Sequence, residues 1–178
     1  MPTAVITHSM GAYMLIDATC DLAGPSCETG TGSDGNAAEQ MLGDLKYFAW
    51  LANQISFLDM TTLTSYPADA DTATTAAPRR PFQRLHPFLN RWRARRRSPL
   101  EIVALSDPND VLLFYVSQDD IVDTDVKIHN AILSNSEWNW LDIFANPVTA
   151  HDGYLANNTA MRIVACGMSG GAVATCKP

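Results

Sequence analysis

The chain has 178 residues, of which 47% are hydrophobic and 17% charged, with a formal net charge of -7. That apolar content excludes global disorder, because such a chain buries enough surface to offset its ordering entropy, and the length suits one domain, taken here as residues 1–178. No apolar run reaches the roughly 20 residues that span a bilayer, and an acidic surface makes nucleic acid a poor partner.

In chain order, Met1-Pro2-Thr3-Ala4-Val5 lacks the basic flank of a signal peptide and opens instead a buried strand over residues 2–7. The chain turns at His8-Ser9-Met10-Gly11 into a helix-forming run over 12–18. Glycines, Pro25, Ser33, Asp34 and Asn36 mark a loop over 24–36, and 37–44 has helical composition. Residues 46–52 are apolar and aromatic enough for a second buried strand, with a helix as the alternative.

Residues 61–77 are rich in Thr, Ala and Asp and read as a linker or flexible insertion. Eight arginines follow between Arg79 and Arg97 with no acid among them, which leaves four cations in the rest of the chain against all nineteen acids. Phe82, Leu85, Phe88, Leu89 and Trp92 stand at helical spacing within that window. The expectation is an amphipathic, solvated helix on a surface insertion, with a lipid-head-group or anion patch as the alternative.

After Pro99, residues 101–105 form the clearest strand, and Ser106-Asp107-Pro108-Asn109-Asp110 is its turn. Residues 126–133 read as a further strand and 156–165 as a closing helix. Strands alternating with helices predict an α/β fold: three layers around a mainly parallel sheet, ordered from the first strand through 47–52 and 102–105 to 126–133.

Cys20, Cys27, Cys166 and Cys176 fall as two close pairs without metal or redox spacing, so disulfides and free thiols both remain open, and with them the localisation. The four histidines show no zinc-binding spacing and no phosphate-cradling glycine motif occurs, so neither a metal nor a cofactor is expected.

The unit that carries chemistry is Thr7-His8-Ser9-Met10-Gly11 between a strand and a helix. A serine at such a turn is held exposed at the carboxyl edge of the sheet, and Met10 N–H at the helix start is a donor for a developing oxyanion. The plainer reading is that Ser9 caps the helix. A nucleophilic serine needs a base and the base an orienting acid. Asp107 and Asp110 end the 101–105 strand, and His151 lies in a turn before the closing helix. Asp110 is preferred as the acid because it lies far enough past the strand to turn toward the histidine, while Asp107 suits the Asp-Pro-Asn turn. His86 and His129 read as surface or packing residues, and Asp152 as a turn residue. A second Gly-x-Ser-x-Gly at Gly167-Met168-Ser169-Gly170-Gly171 has no base downstream and reads as a flexible tail.

Val5-Ile6-Thr7-His8-Ser9-Met10-Gly11, the 102–110 strand and loop, and Ala150-His151 together resemble the second half of the α/β-hydrolase domain, in its serine esterase and lipase-like branches. Thr7 stands where the family motif has its first glycine. The resemblance implies a partial α/β-hydrolase fold lacking the N-terminal strands, either a fragment or a sheet completed by something else. It implies a triad of Ser9, His151 and Asp110 with Met10 in the oxyanion hole, acting on small-molecule carboxylic esters without a cofactor. It also makes 61–98 a lid-like insertion, whose basic amphipathic helix would suit a lipid interface. Trp138, Trp140 and Phe144 read as core residues, with the wall of an acyl pocket as the alternative. The alternative to the esterase is a catalytically silent module that retains the same triad residues. Oligomeric state is left open.

Overall fold

The computed structural model describes residues 3–22, 40–55, 85–96, 98–112, 115–116, 125–135 and 146–168. The expected loop at 24–36, the linker at 61–77, the Trp138, Trp140 and Phe144 cluster, and Ser169 with Gly170 and Gly171 lie outside them.

Four strands, β1 (Thr3–His8), β2 (Leu45–Leu51), β3 (Leu100–Ser106) and β4 (Val126–Ile132), form one all-parallel sheet in the order β1-β2-β3-β4. This is the expected α/β class, with the expected strand order. The central strands are buried on both faces and so read as nearly continuous apolar runs, LKYFAWL and LEIVALS. The edge strand β1 alternates partly buried and exposed residues, and its Ile6 is 53% exposed.

Helices α1 (Gly11–Leu22) and α2 (Leu85–Arg95) cover one face, packing Ala12, Ile16, Leu85, Phe88 and Trp92 against Phe48, Trp50, Ile102 and Ala104. The other face carries α3 (Pro147–Asp152), a 3-10 turn (Gly153–Ala156) and α4 (Asn158–Cys166). There Tyr154, Ala160 and Val164 pack on Ala49, Leu51, Val103 and Leu105. Three layers result, because adjacent residues of one strand face opposite sides and both sides are apolar.

The structure corrects the expectation for the arginine-rich segment. Among the described residues, α2 is not a solvated excursion; the rest of the expected lid-like insertion, 61–84, lies outside them. Leu85, Phe88, Leu89 and Trp92 are all at most 3% exposed, and the Trp92 indole N–H donates to Leu45 O at 3.2 Å. Arg91 is buried too and donates to Thr19 O, whereas Arg93 and Arg95 point outward. Trp92 meets the first residue of β2, and Arg96 pairs with Asp125 just ahead of β4. The basic end of α2 therefore sits at the amino edge of the sheet, opposite Ser9. The apolar stripe at 85, 88, 89 and 92 decides the matter: burying it outweighs the solvation preference of arginines that can reach past it.

Two smaller differences concern the ends of elements. His151 lies within α3, capped by Asn146 and opened by Pro147, rather than in a turn. The closing helix starts at Asn158, where Asn157 accepts from Thr159 N and Ala160 N. Cys20 and Cys166 are each engaged in a disulfide, and no described cysteine is free. No described helix is long and apolar enough to cross a membrane.

Candidate active site

Parallel strands end in register, so their carboxyl ends bring distant loops together. His8 pairs with Leu51, and Leu51 with Leu105. The ladder continues one residue further, with Ser9 N–H donating to Leu51 O at 2.8 Å and Ala52 N–H to Leu105 O at 3.1 Å. Ser9, the Asp107–Asp110 turn and the chain beyond β4 thus share one edge.

Ser9 occupies a strand–turn–helix junction with φ of 56°, a left-handed conformation that costs a residue with a side chain about 1–3 kcal/mol. Thr7 and Gly11 flank it closely. A Cβ on Gly11 would lie 3.4 Å from Thr7 Cβ, ordinary van der Waals contact, so the two residues are near neighbours across the turn. Gly11 opens α1, so the Met10 N–H lies at the positive end of that helix.

The Ser9 hydroxyl oxygen lies 2.9 Å from His151 Nε2, and His151 Nδ1 lies 2.9 Å from Asp110 Oδ2. A carboxylate only accepts, so His151 carries its proton on Nδ1 and Nε2 receives the serine hydroxyl. Asp110 is buried at 4% exposure, and its other oxygen accepts Leu112 N–H at 3.0 Å. Asp107 does not reach the imidazole. Its carboxylate accepts from Asn109 N, Asn109 Nδ2 and Asn135 N, which organises the turn that presents Asp110. The histidines expected to be peripheral include His129, which lies on β4 3.8 Å from Glu101.

Three further residues hold this arrangement, and beyond the place of Asn135 after a strand no sequence signal marks them for it. Asn135, past the end of β4, donates from Nδ2 to Ala150 O at 2.8 Å and accepts from Asn157 Nδ2 at 2.9 Å, tethering the helix that bears His151. His8 Nε2 donates to His151 O at 2.8 Å, and its ring meets the His151 ring edge-on at 5.2 Å. Tyr154 is fully buried between His8 and the two aspartates, and its hydroxyl makes no hydrogen bond of regular geometry. Burial, then the charge of Asp110, holds its phenol protonated well above the usual range. Only the asparagine after a strand could have hinted at a turn role; the contacts span up to 143 residues.

His8, His151 and Asp152 also bring one possible metal-ligand atom each to within 4.8 Å of the others, a cluster invisible in the sequence because His8 comes from a different element. No family model matches the chain, and no curated protein or solved structure matches it either.

Proposed function

We propose that this protein is a serine hydrolase of the α/β-hydrolase type acting on carboxylic esters. The observation that carries the reading is the pair of 2.9 Å contacts linking the Ser9 hydroxyl, the His151 imidazole and the buried Asp110 carboxylate. A serine, an imidazole and a buried carboxylate in that chain are suited to acyl transfer. Ser9 Oγ attacks the ester carbonyl while His151 Nε2 takes its proton. The tetrahedral oxyanion is met by Met10 N–H, helped by the positive end of α1. Collapse breaks the bond to the leaving alcohol, which receives the proton from His151, and leaves an acyl-Ser9. Water, deprotonated by His151, then releases the acid and restores the serine. Asp110 keeps the imidazole in the tautomer that accepts from serine.

An apolar acyl group suits the surroundings. Met10, Val111, Val148 and Leu155 are all large, exposed apolar residues on the segments that carry the three polar groups. They, rather than the arginine helix, are the candidates for acyl contact.

The test is hydrolysis of p-nitrophenyl acetate together with labelling by a fluorophosphonate probe. Ser9→Ala is expected to remove labelling and to lower kcat on the order of 10⁶-fold without loss of fold. Turnover retained in that variant would overturn the reading. Among the described residues no strand pairs with the outer side of β1, which favours a second reading, a silent module. A folded wild type that neither labels nor turns over would support it.

A further inference from the structure

The geometry points to a site for a divalent transition-metal ion of the zinc class, formed by His8, His151 and Asp152, whose occupation is incompatible with the Ser9–His151–Asp110 hydrogen-bond chain. The three residues each offer a ligand atom, all within 4.8 Å of one another. Tetrahedral zinc with bonds of about 2.0–2.1 Å sets its ligand atoms about 3.4 Å apart. Closing that gap takes side-chain rotation: Asp152 is exposed at the end of a short helix, neither histidine is fully buried, and His8 must either offer Nδ1 or release the bond from its Nε2 to His151 O. Two imidazoles and a carboxylate are a ligand set suited to zinc and to its harder and softer neighbours.

Exclusivity follows from the ring of His151. Its Nδ1 is committed to Asp110 and its Nε2 to Ser9. A metal must take the lone pair of one nitrogen. Taking Nε2 removes the acceptor for the serine proton, and taking Nδ1 displaces the carboxylate that fixes the tautomer. Either way, metal and nucleophile activation compete for one side chain. The inhibitory consequence rests on the serine-hydrolase reading; the binding itself does not.

The experiment titrates zinc chloride into chelator-treated, desalted protein by calorimetry and measures fluorophosphonate labelling of Ser9 with and without zinc. Wild type is expected to bind one ion. His8→Gln and Asp152→Asn are expected to weaken binding at least about tenfold, as losing a ligand costs no less than losing an outer-shell partner. Ser9→Ala should bind as well as wild type or better, since it removes a competitor for Nε2. Zinc should slow wild-type labelling, while Asp152→Asn, outside the serine machinery, should need at least about tenfold more zinc for the same slowing. Absence of binding, binding indifferent to both ligand substitutions, or labelling unchanged by bound zinc would overturn the proposal. Zinc bound as expected to a protein that never labels would support the site and instead remove the hydrolase reading.

Discussion

Ser9 pays for its position in backbone conformation. Its left-handed φ of 56° stores about 1–3 kcal/mol, against the roughly 0.4–1 kcal/mol of unfolded-state entropy that a glycine adds. Ser9→Gly is therefore expected to raise stability by about 1 kcal/mol, read as a higher urea midpoint, whereas Ser9→Ala keeps the strain and the midpoint. In the proposed mechanism Asp110 acts through a tautomer. Its carboxylate accepts from His151 Nδ1, and an amide there presents an N–H and reverses the ring's proton. Asp110→Asn should lower kcat on p-nitrophenyl acetate by about 10⁴-fold with stability little changed. At this scale Ser9, Asp110 and His151 were legible from residue type and order. His8, Asn135 and Tyr154 were not, because each matters through a contact that exists only once the sheet has formed.

Among elements, α2 is where periodicity and composition disagree. The spacing of Leu85, Phe88, Leu89 and Trp92 speaks for a buried helix, and the arginine density for a solvated one. Packing follows the apolar stripe, with Trp92 fully buried and hydrogen-bonded to β2. Trp92→Ala should cost about 3–5 kcal/mol, visible in thermal unfolding, through the cavity it leaves. Replacing 79–97 with a Gly/Ser linker should accordingly unfold the protein rather than change its preference among esters of different chain length. Helix α3 teaches the reverse lesson. Asn146 caps it and Pro147 opens it, yet so short a helix is marginal alone, and Asn135 holds its last turn through Ala150 O.

For the whole molecule, Tyr47 joins the layers, its hydroxyl donating to Ile163 O of α4 at 3.0 Å. Burial, and then the charge of Glu101, pushes its pKa up to about 12. The folded state thus keeps a proton that the unfolded chain gives up near 10, the ordinary phenol value. Tyr154 is shifted in the same direction. Their contribution is intact below pH 10 and is lost as pH climbs from about 10 toward 12. Chemical denaturation across that window should show falling stability, and Tyr47→Phe should flatten the fall.

What the sequence by itself determined is the list of strands, their parallel order and the polar residues able to do chemistry. Each of these follows from pattern: short apolar runs alternating with helical segments, which call for a covered parallel sheet, and turn residues at the carboxyl ends of the strands. What only the tertiary structure decided is who meets whom. Strand register places Ser9 beside the loops after β3 and β4, Asn135 draws His151 across to Asp110 while Asp107 turns inward, and the sheet face claims α2. Periodicity states that a face will be buried, but the partner that buries it lies tens of residues away, and only the closed sheet sets that distance.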